Sequence, residues 1–273
     1  MIYPLCPICG EKLTMEKPSW SCCNHHSFDV ARQGYVNLLT VSQKHSLHPG
    51  DSTVMVAARR SFLNAGYYSP IVEALNRVVS RFAPNAESIL DAGCGEGYYL
   101  SHLDASERWG IDISKDAVRF AAVREKNAHW LTATAAHLPF SDGCFDVVLS
   151  MFALTVESEF ARVLKENGIF VQVLAGEHHL SSLKSIIYPT LLQKEKTLHP
   201  QLDGFTLLHE EALCFDFELE SQEMVQNLLY MTPHAWRISQ KGAQALKNTT
   251  NLKDHAEVIF NVYGRQAMEN LLK

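Results

Sequence analysis

The feature that most constrains this chain is a short apolar run that ends in an acid and three glycines. Residues 89–97 read ILDAGCGEG, and a second apolar stretch further on ends in another acid, Asp112. Because glycine has no Cβ, Gly93, Gly95 and Gly97 allow the backbone to turn sharply after a strand and to approach a ligand closely. This order of strand, glycine turn, helix and acid is typical of an open, mostly parallel α/β sheet that binds an adenosyl ligand at the carboxyl ends of its strands.

The acids around the glycines indicate which adenosyl ligand is bound. Dinucleotide-binding turns have the spacing Gly-x-Gly-x-x-Gly and place a pyrophosphate at a helix N-terminus. In this chain Asp91 and Glu96 stand where they would repel a pyrophosphate. Carboxylates suit a ligand with a sulfonium and an ammonium group, so the pattern predicts S-adenosyl-L-methionine, with Asp112 accepting hydrogen bonds from its ribose hydroxyls. A tight turn without a ligand is the structural alternative.

Length and charge limit the class of protein. The chain has 273 residues, 47% of them hydrophobic, which is enough for one large α/β domain and a small appendage. It lacks a long apolar helix and the residue order of a signal peptide, so we expect a cytoplasmic protein without a membrane partner. With 24 Lys and Arg against 30 Asp and Glu, the net charge is -6. DNA is therefore not expected as a partner, and any RNA must meet a local basic patch.

Cysteines and histidines near the N-terminus indicate a metal site. Four of the seven cysteines lie within the first 23 residues, which favours metal ligation over disulfides. The candidate ligands are Cys6, Cys9, Cys22 and His26, with Cys23 and His25 as alternatives. Two pairs of soft or borderline ligands at this spacing can form a tetrahedral Zn²⁺ site, and a segment of about forty residues needs such a link to fold. All four positions would be filled by protein, so we expect the zinc to be structural.

The remaining residues are predicted to complete the α/β domain. The segment 41–70 is expected to be a linker of turn, helix and turn, in which Arg59 and Arg60 face solvent or, alternatively, contact phosphates. The first crossover helix is expected to open at 98–103. Methyltransferases with this kind of sheet often have an acid at the position of Thr134 or Ala136 that binds the adenine amino group. This chain lacks that acid, so backbone atoms around Ala135 are expected to bind the amino group. The alternating segments 205–209 and 215–220 are expected to form, with a late strand at 258–263, the antiparallel hairpin that closes the sheet.

The order of these features resembles, over nearly the full length of the chain, the bacterial 23S ribosomal RNA guanine-N1 methyltransferases. The blocks that carry the resemblance are CPIC at 6–9, HSFD at 26–29, GYVNLL at 34–39, PGDS at 49–52, ARRSFL at 58–63, DAGCGEGYY at 91–99, LPFSD at 138–142 and MTPHAWR at 231–237. The glycine motif is shared with many methyltransferases. Its combination with the cysteine module and the other blocks is much more specific.

The resemblance implies a class I methyltransferase fold that transfers a methyl group from S-adenosyl-L-methionine to guanine N1 in a 23S rRNA stem-loop, and it admits a homodimer. It implies zinc ligands and cofactor contacts as follows: Cys6, Cys9, Cys22 and His26 for zinc, and Tyr68, Gly95, Glu96 and His179 for the cofactor. The implied organisation is a zinc-binding RNA-recognition module at 1–40, a linker helix region at 41–70 and a methyltransferase domain at 71–273. No catalytic base is assigned.

One departure from the family leaves the substrate open. The family has Ala-Pro after an aromatic residue at the substrate edge, whereas this chain has Ala153-Leu154 after Phe152. Phe152 is a candidate for stacking on a splayed base, although such a residue is more often part of a core. Two alternatives therefore stay open: a small-molecule methyltransferase with the zinc module as a lid, and a zinc-stapled RNA-binding or antibiotic-resistance accessory protein without turnover.

Overall fold

The computed structural model describes residues 1–44, 49–188 and 197–266, so positions 45–48 of the predicted linker lie outside the described residues. The N-terminal segment forms a small antiparallel sheet of β1 (Thr14–Met15), β2 (Ser19–Ser21) and β3 (Ser27–Asp29). The next strand, β4 (Val36–Asn37), is not part of this small sheet. It pairs in parallel with a strand of the main sheet. The cysteine-bearing segment is thereby joined to the main domain by backbone hydrogen bonds.

The main sheet has eight strands within the described residues, in the order β10-β11-β9-β8-β5-β6-β7-β4. Its remaining strands are β5 (Ser88–Ala92), β6 (Glu107–Asp112), β7 (His129–Thr132), β8 (Phe145–Met151), β9 (Leu164–Ala175), β10 (Phe205–Leu219) and β11 (Leu252–Arg265). Neighbours from β4 to β9 pair in parallel, whereas β11 is antiparallel to both β9 and β10. The predicted mostly parallel sheet with a terminal antiparallel pair is confirmed.

Helices lie between the strands. They are α1 (Thr53–Asn64), α2 (Ser69–Phe82), α3 (Lys115–Arg124), α4 (Glu157–Val163), α5 (Ser181–Ile187), α6 (Gln222–Tyr230) and α7 (Gln240–Lys247). The helix predicted within the linker is α1, which begins where the Ser52 hydroxyl accepts a hydrogen bond from the Met55 N–H. Helix α1 packs against α6 and α3. No described helix has both the length and the apolar character that a membrane crossing requires.

The expected helix at 98–103 is wrong, because only a 3-10 turn (Leu100–His102) forms there. The Tyr98 carbonyl accepts a hydrogen bond from the Ser101 hydroxyl at 2.7 Å and lies 2.7 Å from His102 Nδ1. These side chains occupy the carbonyl that a continuing helix would have used, and the chain extends at Leu103.

The N-terminal segment packs on the main sheet through aromatic side chains. Trp20 meets Trp109 of β6 edge-on, with ring centroids 6.4 Å apart. Cys6 and Cys22 are buried in the same core cluster as these two rings. The Leu5 N–H also donates a hydrogen bond to the Pro139 carbonyl at 2.8 Å. One hydrophobic core therefore holds the metal-site segment against the sheet.

Candidate functional site

A cavity of about 510 Å³ opens at the carboxyl ends of β5, β6, β8 and β9. This is where an open α/β sheet binds its ligands, and the volume lies in the range of cofactor sites. The walls come from the glycine turn after β5, from helix α1, from the ends of β6 and β8, from the segment after β9 and from residues 231–234. None of the described cavity-lining residues belongs to the segment 1–44.

The glycine turn shapes the floor of this cavity. A Cβ on Gly93 would lie 2.6 Å from the Cβ of Ala153, so this position has no room for a side chain. Gly95 adopts φ +55°, and a Cβ there would point towards the Arg59 guanidinium, 3.5 Å from its Nη1. Gly95 therefore keeps the backbone low beneath the cavity, which allows a ligand to approach it closely.

The carboxylate of Asp112 is held at the end of β6 by two backbone donors. Its Oδ2 accepts from the Gly95 N–H at 2.9 Å and its Oδ1 accepts from the Ser114 N–H at 2.7 Å. Burial raises the pKa of Asp112, and these two hydrogen bonds oppose the rise. The side chain is fixed at the cavity wall with lone pairs that remain available to a hydroxyl group.

Asp91 lies behind the glycine turn and does not line the cavity. It is fully buried, and within the described structure neither of its carboxylate oxygens has a hydrogen-bond partner. Burial, and next the negative charge of Asp112, raise the pKa of Asp91 to about 8. The sequence placed this acid correctly at the end of β5, but its protonation at neutral pH could not be inferred from the motif.

Glu96 lines the cavity although only 1% of its surface is exposed. Its Oε2 accepts hydrogen bonds from Arg124 at 2.5 Å and 2.8 Å. Burial raises the pKa of Glu96, and the charge of Arg124 opposes the rise. The other oxygen, Oε1, is buried without a hydrogen-bond partner among the described residues, so it is an acceptor in need of a donor.

Tyr68 and His179 are 111 positions apart in the sequence and meet in the cavity wall. The Tyr68 hydroxyl lies 3.3 Å from His179 Nε2, and burial raises the pKa of Tyr68. The ring of Phe152 stacks on His179 with centroids 6.2 Å apart and an interplanar angle of 29°. Phe152 is 39% exposed and has φ +55°, an unusual conformation for a bulky residue. This end of the cavity thus carries an exposed aromatic face.

The predicted site residues do not all reach the cavity. Those that line it are Tyr68, Gly93, Gly95, Glu96, Asp112 and His179. Asp91 and Ala135 do not line it. Ala135 lies in a local turn, in which the Ala136 N–H donates a hydrogen bond to the Thr134 hydroxyl at 3.2 Å.

Sequence reasoning missed a cation in the cavity wall. The interpretation of Arg59 as facing solvent is wrong, because its side chain lines the cavity. Its Nη1 lies 2.5 Å from Asp51 Oδ2, and its Nη2 donates to the Met231 carbonyl at 3.2 Å. The arginine connects the start of α1 to a segment 172 positions away. Asp51 belongs to the PGDS block and Met231 to the MTPHAWR block, and these blocks were the sequence signal for the contact. The sequence near either block does not indicate that the two meet in the fold.

The four expected metal ligands form one cluster. One ligand atom from each of Cys6, Cys9, Cys22 and His26 lies within 4.8 Å of all the others. The Cys9 and Cys22 sulfurs are 3.7 Å apart, and His26 Nδ1 lies 3.5 Å from the sulfurs of Cys6 and Cys22. A tetrahedral Zn²⁺ with metal–sulfur bonds of about 2.3 Å would place its sulfurs about 3.8 Å apart. The alternatives, Cys23 and His25, are outside this cluster.

Comparison with known proteins agrees with this architecture. Residues 4–47 match a zinc-ribbon family model described as "RlmA, N-terminal", and residues 90–172 match one described as "Methyltransferase domain". The chain is 32% identical to the 23S rRNA (guanine(748)-N(1))-methyltransferase of Streptomyces fradiae, over 86% of each protein. It is 30% identical to YxjB of Bacillus subtilis, over 89% of this chain and 90% of that protein. YxjB is named provisionally as a 23S rRNA (guanine-N(1)-)-methyltransferase.

Among solved structures, the Bacillus subtilis protein YcgJ is similar over 71% of this chain and 99% of its own, with 18% identity and a TM-score of 0.43. The two methyltransferase relatives cover 86% and 89% of this chain. The chain itself joins the zinc ribbon to the methyltransferase domain. The chain belongs to the 23S rRNA (guanine-N1)-methyltransferase family, and it combines a zinc ribbon, whose four ligands are clustered, with an S-adenosyl-L-methionine-dependent methyltransferase domain.

Proposed function

We propose that this protein methylates N1 of a guanine in a stem-loop of 23S ribosomal RNA. The observation that carries the proposal is the cavity at the carboxyl edge of the sheet, where the glycine turn, a fixed carboxylate and an exposed aromatic ring meet. It occurs in a chain of the family whose Streptomyces fradiae member is named for guanine 748.

The chemistry of the cavity wall suits S-adenosyl-L-methionine. The residues that we assign to the cofactor are Tyr68, Asp91, Gly93, Gly95, Glu96, Asp112, Ala135 and His179. Asp112 would accept hydrogen bonds from the ribose, and the unpartnered Oε1 of Glu96 would accept one from the ammonium group. Asp91 and Ala135 would act indirectly, because neither lines the cavity.

We add Arg59 to this set as the partner of the cofactor's carboxylate. It is the only Lys or Arg among the described residues that line the cavity. In the described structure its guanidinium makes one hydrogen bond from each terminal nitrogen, to Asp51 and to Met231. The planar group has five N–H donors, so further donors remain for a carboxylate.

The protein's task is mainly one of orientation. When bound, S-adenosyl-L-methionine supplies a methyl group on a positively charged sulfur, which is already a good electrophile. The buried walls exclude water and would hold guanine N1 in line with that methyl group, an effect that can supply several orders of magnitude in rate. Phe152 presents its exposed ring at this end of the cavity and would stack on the splayed base. We assign no catalytic base for the N1 proton.

The cluster of Cys6, Cys9, Cys22 and His26 would hold Zn²⁺ in a closed tetrahedral site. Because the protein fills all four positions, the role is structural. We retain 1–40 as the zinc-binding RNA-recognition module, 41–70 as the linker and 71–273 as the methyltransferase domain. A cytoplasmic location and a homodimer remain part of the proposal, and light scattering of the purified protein would test the latter.

A small-molecule enzyme with the zinc module as a lid is the less favoured alternative. A lid would contribute residues to the cavity, yet none of the described lining residues lies in 1–44. The segment is instead held on the sheet by β4 and by the Trp20–Trp109 contact. The arrangement supports a large substrate that extends over both parts.

The test is to incubate the protein with tritiated S-adenosyl-L-methionine and an unmodified 23S rRNA transcript. Label should enter the RNA at one guanine, and primer extension should stop there because an N1 methyl group blocks base pairing. Transfer RNA serves as the control substrate. Cofactor binding without RNA labelling would favour the accessory protein, and labelling confined to small molecules would favour the other alternative.

A further inference from the structure

A half-buried phenylalanine on α3 lies between two arginines. The guanidinium carbons of Arg60 and Arg119 lie 5.2 Å and 5.1 Å from the centre of the Phe120 ring. Both distances are within the range of cation–π attraction. Arg119 has a partly neutralising neighbour in Asp116 at 3.5 Å. No described residue makes a salt bridge with Arg60, so positive charge accumulates around one ring.

Other cations extend this charge along α3. Lys115 is exposed at its start, and Lys126 is exposed just beyond its end. The Lys126 ammonium donates to the Gln33 carbonyl at 3.1 Å, which brings exposed Arg32 beside the helix end. We define the basic strip as Arg32, Arg60, Lys115, Arg119 and Lys126. The acids beside the strip are Asp116 and, at the end of the helix, Glu125, which pairs with Arg108 at 3.8 Å. The strip therefore keeps a net positive charge on a chain whose net charge is -6.

The strip runs from the cofactor cavity to the zinc module. At one end, Lys115 follows Ser114, whose N–H donates to Asp112 in the cavity wall, and Arg60 follows Arg59. At the other end, the contact from Lys126 reaches the segment that carries the metal-ligand cluster. Helix α3 has 10 residues, and 1.5 Å per residue gives a length of about 15 Å between these ends.

We propose that the basic strip binds the phosphate backbone of the RNA beside the target loop. This inference rests on the proposed function and names the surface that holds its substrate. A net acidic protein needs a local patch to attract RNA, and arginine forks match phosphate geometry with two hydrogen bonds. Backbone contacts fix the position and orientation of the RNA, and base selection is left to the cavity.

The test compares the wild-type protein with the Arg60→Gln/Arg119→Gln double variant. Binding of the unmodified 23S rRNA transcript is measured by filter retention over a range of salt concentrations. We expect the variant to bind on the order of tenfold more weakly at low salt, and its plot of log affinity against log salt to be shallower by about 1 per cation removed. Affinity for S-adenosyl-L-methionine should stay close to the wild-type value, because neither arginine lines the cavity. Loss of the two cation–π contacts should lower the melting temperature by only a few degrees.

Arg81→Gln is the matched control. Arg81 also lies over a neighbouring ring, 5.0 Å from the centre of Phe82, but on α2, which packs against β10 near the opposite edge of the sheet. Unchanged RNA affinity of the double variant, or equal weakening at every salt concentration, would overturn the inference. If the first double variant folds poorly, an Arg32→Gln/Lys115→Gln variant provides a second measurement of RNA affinity. Both of these side chains are exposed, so their replacement should not disturb the fold.

Failure of this inference is distinguishable from failure of the proposed function. A wild-type protein that binds cofactor but labels no rRNA contradicts the function itself. A wild-type protein that labels rRNA, alongside a double variant that labels it equally well at limiting RNA concentration, contradicts only the basic strip. Equal weakening of the double variant on a DNA duplex of the same length would show a general polyanion surface and would also overturn the RNA assignment.

Discussion

The backbone N–H of Gly95 donates a hydrogen bond to the carboxylate of Asp112 across 2.9 Å. This contact connects the turn after β5 to the end of β6, so the two parts of the cavity expected from the sequence are held at a fixed separation. A side chain at Gly95 would enter the space between the turn and Arg59. The relationship makes Gly95 a sharp test of where the cofactor lies.

Gly95→Ala should weaken S-adenosyl-L-methionine binding at least about tenfold, because its methyl group would occupy the path of the ligand. Gly143→Ala is the matched control, since Gly143 has φ +62° and open space around its Cβ position. Both variants carry a similar backbone penalty, but only the first changes the cavity. Isothermal titration calorimetry gives the two affinities, and equal affinities would contradict our placement of the cofactor.

Arg59→Met should remove recognition of the cofactor's carboxylate. We expect wild-type protein to bind S-adenosyl-L-methionine about 10- to 100-fold more tightly than its decarboxylated analogue, the range of a hydrogen bond between charged groups. The variant should bind both ligands with similar, weak affinity. Arg81 does not line the cavity, so Arg81→Met should keep the wild-type preference. A variant that still prefers the carboxylate would rule out Arg59 as its partner.

Phe152→Ala should lower kcat/KM for rRNA about 10- to 100-fold, because stacking on an aromatic ring contributes about 1–3 kcal/mol per base. Phe152→Tyr preserves the ring face and should stay within about threefold of wild type. Steady-state methylation with saturating cofactor measures both values. If the two variants lose activity to the same extent, the stacking role is refuted.

Cys9→Ser should reduce bound zinc from one equivalent to nearly none and lower the melting temperature by roughly 10 °C, as expected for a loss of about 3 kcal/mol. Cys23→Ser changes a neighbouring cysteine outside the ligand cluster and should keep one equivalent. Elemental analysis and thermal unfolding check these outcomes. Zinc retained in the first variant and lost in the second would reverse the ligand assignment.

Stability should fall as the pH rises towards 8 because of Asp91. Burial raises its pKa to about 8 in the folded state, so between the unfolded value near 3.8 and about 8 the folded protein binds the extra proton. The contribution of Asp91 to the free energy of unfolding is complete below the pKa that its carboxyl has in the unfolded chain. It is lost as the pH rises through the pKa of the folded protein. At about 1.4 kcal/mol per unit, pH 6 to 8 costs roughly 2–3 kcal/mol.

Asp91→Asn keeps the shape of the side chain and removes its titration. Its free energy of unfolding, measured by urea denaturation at pH 6, 7 and 8, should therefore lack this slope. Comparison with wild type under the same conditions cancels the titration of other groups. Parallel pH profiles for the two proteins would show that Asp91 is not protonated in the folded state.

The parts of the site that the sequence predicted are those whose signal is local. Residues close together in the chain were enough to predict the glycine turn and the acid after the second strand. The same holds for the two turns that carry the metal ligands, one with two cysteines and one with a cysteine and a histidine. Arg59 was missed because its partners are defined by tertiary contact, the farthest being the Met231 carbonyl. The prediction of a first crossover helix was wrong because the Ser101 hydroxyl competes for the Tyr98 carbonyl. The spacing of apolar residues does not reveal such a local hydrogen bond.

Strand β4 has a consequence for how such proteins can be recombined. Its two residues, Val36 and Asn37, complete the sheet beside β7, so removal of the N-terminal segment would uncover an unpaired edge. A chimera that exchanges only the metal-ligand turns, with the junction placed before β4, should keep that edge covered. Methylation of 23S rRNA by such a chimera would measure whether the exchanged segment contributes to target preference.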